Sequence, residues 1–129
     1  MRLLLDTHTF LWFIAGDPQL STICRTLIED LNNERLLSVA SVWEMAIKVG
    51  LGKLPLAQPL EILIPNQLQR NAIDLLPIES RHVFRVPYLP LHHRDPFDRL
   101  LVAQSLVEQA PLLSADATFD AYAGIQRIW

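Results

Sequence analysis

Five times in 129 residues this chain enters a segment of strand length: Arg2 to Leu5, Arg35 to Ser38, Ala72 to Leu76, Pro111 to Ser114 and Ile125 to Trp129. Helical spacing fills the gaps. After a polar turn, Asp6-Thr7-His8-Thr9, a helix is predicted from Phe10 to Ala15. Ser21 caps a second helix, with Ile23, Leu27, Ile28 and Leu31 inward and Asn32-Asn33 at its end. A third runs from Ser38 or Ser41 to Gly50, burying Val42, Trp43, Ala46, Ile47 and Val49. A fourth, Leu60 to Arg70, is broken or kinked by Pro65. Glu79 to Arg85, Asp95 to about Gln109, and Asp116 to Tyr122 are helical, and Pro87 to Pro90 is extended.

Parallel strands need crossovers, and helices supply them. The expected architecture is one three-layer α/β/α domain over residues 1–129, with a central, mainly parallel sheet of four to five short strands. With 50% of residues hydrophobic and 19% charged, disorder is a poor account of any long stretch. The single cysteine, Cys24, excludes internal disulfides and Cys-rich zinc sites. The opening apolar run meets Asp6 too early for a signal peptide, so a cytoplasmic protein without a membrane segment is expected. A net charge of −3 excludes a broadly basic nucleic-acid binder. Neither a dinucleotide fingerprint nor a phosphate-binding glycine loop occurs.

Ligands of such sheets bind beyond the carboxyl ends of the strands, which directs attention to acids just past those ends. Each acid has an ordinary use. Asp6 and Asp116 can cap helices, Asp95-Pro96-Phe97-Asp98 fits a modified capping box, and Glu44 can pair with Lys48 one turn on. Yet the topology brings Asp6, Asp98 and Asp116 to one rim, and Glu44, in a stripe with Ser41 and Lys48, leans over it. Carboxylates so crowded either take up protons or enclose a cation, and Mg²⁺ or Mn²⁺ is the hard, oxygen-seeking choice.

Leu3 to His8, Ser38 to Glu44, His93 to Gln104 and Leu113 to Phe119 together resemble the PIN domain family, and within it the VapC-like toxins of type II toxin–antitoxin pairs. The resemblance implies that Asp6, Glu44, Asp98 and Asp116 bind Mg²⁺ or Mn²⁺ and support endonucleolytic RNA cleavage leaving a 5′-phosphate. It also implies a small antitoxin partner whose apolar helix occupies a groove. Asp95 is read as a cap and outer-shell residue, and Thr7 and Ser41 as residues that orient the carboxylates.

Arg94 and Arg99, which flank the acids, are the preferred RNA contacts in the most basic stretch. His92-His93 is set aside as a zinc pair, since neighbouring residues point apart and no third ligand accompanies them. Trp12, Phe13, Trp43 and Phe97 read as core or interface aromatics. Phe10, Phe13 and Leu27 are candidates for the antitoxin groove or a homodimer seam, with core packing the plainer account. Two other functions compete with the ribonuclease. One is a catalytically silent PIN-like interaction module, which would not bind Mn²⁺. The other is a phosphohydrolase with Asp6 as nucleophile, which wants a second Asp where His8 stands.

Overall fold

A computed structural model describes residues 1–129 and contains five strands and six α-helices. The strands are β1 (Arg2–Leu5), β2 (Glu34–Ser38), β3 (Asp74–Leu76), β4 (Leu112–Leu113) and β5 (Arg127–Ile128). The helices are α1 (Thr7–Ala15), α2 (Thr22–Glu29), α3 (Val39–Gly50), α4 (Leu60–Asn71), α5 (Ser80–Arg85) and α6 (Pro96–Glu108). All pairings are parallel, in the order β3-β2-β1-β4-β5. The result is the expected three-layer α/β/α arrangement, with one apolar cluster on each face of the sheet. Leu3, Leu5, Phe10, Ile28 and Met45 belong to one, and Leu4, Leu36, Val102 and Phe119 to the other. The period of two along β1 therefore feeds both cores.

Several sequence expectations are corrected. Thr7 to Thr9 is the first turn of α1 and not a polar turn, because the Asp6 carboxylate accepts the Thr9 N–H and starts the helix there. α2 stops at Glu29, since Asp30 accepts the Asn32 N–H in a turn that competes with the helix; Leu31 is therefore left exposed, as is Ile23. α3 buries Ala40, Ser41 and Met45, whereas Trp43, Ala46, Ile47 and Val49 face out. Pro65 sits inside an unbroken α4, in its second turn, where the forgone bond would have gone to the exposed Glu61. Ala72 adopts a left-handed φ of 52° as the α4 cap, so β3 begins at Asp74. Val86 to Tyr88 forms a 3₁₀ turn and not extended chain. Residues 117–121 are 3₁₀, capped by Asp116. Phe10 is fully buried and cannot line an external groove.

Arg35, on β2, is 3% exposed and donates to the Ile28 carbonyl at 2.5 Å and the Ala72 carbonyl at 2.8 Å. It therefore closes the C-terminal ends of α2 and α4, where the helix dipole favours a cation. Replacing it with Met should strand two carbonyls and lower unfolding free energy by about 2 kcal/mol in urea denaturation, with Lys recovering part of the loss.

Candidate active site

Three adjacent strands, β2, β1 and β4, end on the same rim, where the order of the sheet reverses about β1. The residues that follow them close the helices and in doing so turn carboxylates toward one another. Asp6 follows β1 and caps α1. Ser38 ends β2 and caps α3 by accepting the Ala40 N–H at 3.0 Å, which sets Glu44 in the next turn. Ser114, beyond β4, accepts the Asp116 N–H at 3.0 Å. Asp95 accepts the N–H groups of Phe97 and Asp98 and opens α6, so Asp98 faces back into the cleft. Asp6, Glu44, Asp95, Asp98 and Asp116 all line one cavity of about 340 Å³. The four acids singled out in the sequence meet there.

Their partners differ. Thr7, buried at the start of α1, donates from Oγ1 to Glu44 Oε1 at 2.5 Å, and Lys48 Nζ lies 3.3 Å from Glu44 Oε2. The helix pairing expected of Glu44 thus coexists with its place in the cleft. Asp116 accepts from Thr118 N–H on Oδ1 and from His93 Nε2 on Oδ2, each at 2.9 Å. Burial works to raise its pKa, but the His93 and Thr118 hydrogen bonds outweigh it and hold Asp116 below the usual carboxylate range. Asp98 has no such relief. Burial, then the nearby Asp95, with Glu44 and Asp116 adding to it, pushes its pKa up to about 6 against the partial opposition of His93.

His93 is the residue that sequence reasoning missed. Its backbone N–H donates to the Tyr122 hydroxyl at 3.0 Å, and its Nδ1 lies 2.9 Å from the same oxygen. In the neutral ring, the tyrosine proton goes to Nδ1 and Nε2–H donates to Asp116. One ligand atom from each of His93, Asp98 and Asp116 falls within 4.8 Å of the others. His92, the other member of the pair set aside for zinc, packs its ring edge-on against Tyr122 at 4.8 Å, while His93 enters the site as the hydrogen-bond partner of Asp116. His8 and Lys48 also line the cavity.

Two supporting assignments fail. Ser41 is buried, but its hydroxyl finds no hydrogen-bond partner and orients no carboxylate. Arg99 turns away from the cleft to donate to the carbonyls of Pro90, Val86 and Leu89, pinning the loop before α6, so its guanidinium is committed. Arg94 is exposed and keeps its charge free for solvent. The donor set of carboxylate oxygens, at a point where a carboxyl already resists ionising, fits a hard divalent cation, with His93 holding Asp116 from behind.

The sequence profile of the PIN domain family matches residues 3–125. Ribonuclease VapC16 of Mycobacterium tuberculosis is 38% identical over 58 residues, which cover 45% of this chain and only 41% of that relative. Among solved structures, VapBC2 from Rickettsia felis, bound to a promoter DNA fragment, superposes with a TM-score of 0.74 at 16% identity, covering 99% of this chain and 98% of its own. VapBC-1 from nontypeable Haemophilus influenzae gives 0.68 at 18% identity, covering 99% and 97%. At those identities the likeness is one of fold.

A carboxyl whose folded pKa exceeds its unfolded value lends stability below the unfolded pKa and loses it as pH rises through the folded one. For Asp98 that window runs from 3.8 to about 6. In metal-free buffer Asp98→Asn should therefore be more stable than the parent at pH 7.5, by about 1–2 kcal/mol after allowance for partial solvation, and equal to it below pH 4. Thermal denaturation across that range measures the difference.

Proposed function

The chain belongs to the PIN domain family, and from that premise we propose that it is a divalent-metal-dependent endoribonuclease, the toxin of a toxin–antitoxin pair acting in the cytoplasm. The observation that carries this reading is the convergence of Asp6, Glu44, Asp98 and Asp116, from four separate chain segments, on one cleft. The raised pKa of Asp98 adds to it, because metal-free crowding of this kind costs stability and is expected where chemistry needs it.

Mg²⁺ or Mn²⁺, when bound, supplies positive charge for a phosphodiester and a lowered pKa for the attacking water. The chain's own residues do the rest. Asp6, Glu44, Asp98 and Asp116 hold the ion. Thr7 fixes the rotamer of Glu44, and the His93–Tyr122 pair does the same for Asp116. Asp95 acts through the cap that aims Asp98. Arg94, exposed next to the Asp95 cap, meets RNA phosphate, while Arg99 supports the loop that carries it.

The fold relatives are VapBC assemblies, which supports a small antitoxin protein as partner of this chain too. A homodimer completes the reading. Its seam moves from the first two helices to an apolar depression of about 310 Å³ lined by Trp43, Val83, Val86, Phe97 and Leu100, with Phe84 70% and Trp43 57% exposed nearby.

Purified protein should cleave single-stranded RNA in Mg²⁺ or Mn²⁺ and stop in EDTA. Asp6→Asn and Asp98→Asn should each lower the rate at least about 100-fold while keeping the parent circular dichroism. Saturating Mn²⁺ should raise the melting temperature of the parent but not of Asp98→Asn, reversing their metal-free order. Parent-rate cleavage by a folded Asp98→Asn protein would sink the mechanism. Light scattering should give about twice the 14.7 kDa chain mass, and Trp43→Glu should return the monomer.

A further inference from the structure

The acidic cleft opens sideways into a second cavity of about 430 Å³, within the range of small-ligand pockets. Its walls are mostly apolar and include Leu11, Trp12 and Leu54, with His8, Lys48 and Lys53 also lining it. His8 and Lys48 line both cavities, so a chain leaving the acids on this side passes between them.

Three features define what fits. The Trp12 indole is half-buried, backed by the core and by Trp129 at 5.7 Å, and followed by the His8 ring at 5.6 Å and 41°. It is a flat surface fixed from behind. The only two lysines of the chain, Lys48 and Lys53, both border this cavity of an otherwise acidic protein. Lys48 is held by Glu44, while Lys53 is exposed and makes no ion pair. An aromatic face beside cations, continuous with a phosphodiester cleft, matches a nucleotide unit. An apolar peptide would use the walls and leave the Lys53 ammonium without a partner.

We infer that this cavity is a nucleobase subsite, in which the base next to the scissile phosphate of single-stranded RNA stacks on Trp12 and His8 while Lys53 contacts the adjoining phosphate. The inference rests on the ribonuclease reading. Stacking explains why the platform is aromatic, and it implies tolerance among bases, because every base has a π-face.

The test uses the full chain in Mg²⁺. Titrated 5′-AMP should quench tryptophan fluorescence where ribose 5-phosphate does not, and Trp12→Phe should remove most of that base-dependent quenching while the other two tryptophans remain. Trp12→Ala should raise KM for a short single-stranded RNA about tenfold with kcat little changed, and Trp12→Phe should restore most of it. Lys53→Ala, a surface change that spares the fold, should weaken RNA binding and reduce the salt slope by about 0.7. Equal quenching by the two phosphates overturns the inference, as does cleavage with parent KM in both Trp12→Ala and Lys53→Ala. Loss of antitoxin binding in Trp12→Ala with RNA kinetics intact also overturns it, in favour of a peptide site. Base-dependent binding without any RNA cleavage by the parent would instead overturn the ribonuclease reading and leave the subsite supported.

Discussion

Mutual repulsion among carboxylates on one rim is the constraint around which this molecule is organised. A parallel sheet with β1 at its centre delivers three strand ends side by side, and the chain places Asp6, Glu44 and Asp116 just past them. α6 then adds Asp98 from across the cleft. Three of the four have direct relief within the protein: Asp6 through the Thr9 N–H, Glu44 through Thr7 and Lys48, and Asp116 through His93 and Thr118. Asp98 is left with the surplus, and its shifted ionisation records it.

The surrounding polar structure reads as a response to that surplus. His93 and Tyr122 form a small relay from the α6 entry loop to Asp116, and Arg99 ties the same loop to three carbonyls of the preceding turn. The loop is therefore held from both sides. Elsewhere, at the opposite end of α6, Glu108 is gripped by Arg2, Arg81 and the buried His82. There the acid is satisfied by its neighbours: burial raises its pKa, but the His82 and Arg2 hydrogen bonds bring it down. The contrast between Glu108 and Asp98 separates an acid used for construction from one kept available.

Much of this was legible in the sequence. Strand-length runs followed by helical spacing gave the layers, and acids placed just past strand ends gave the quartet, because local order and topology suffice to predict both. The residues that escaped depend on contacts with no local signature. His93 meets Tyr122 across 29 positions with no period to link them, whereas Thr7, read as orienting a carboxylate, does reach Glu44 across 37. The buried face of α3 was misjudged because apolar residues occupy both sides of that helix, and only packing selects Met45 over Trp43. Pro65 was expected to break or kink α4; the helix runs unbroken through it, and the bond it forgoes would have gone to an exposed turn.

Asp6, Asp95 and Asp116 each close a helix with the same side chain that borders the cleft. Foldability and negative charge are thereby written into single positions. Alanine at any of them frays a helix as well as removing a charge, so an alanine scan would confound collapse with chemical silence. Only asparagine, which keeps the capping oxygen while discarding the charge, lets the two be read apart.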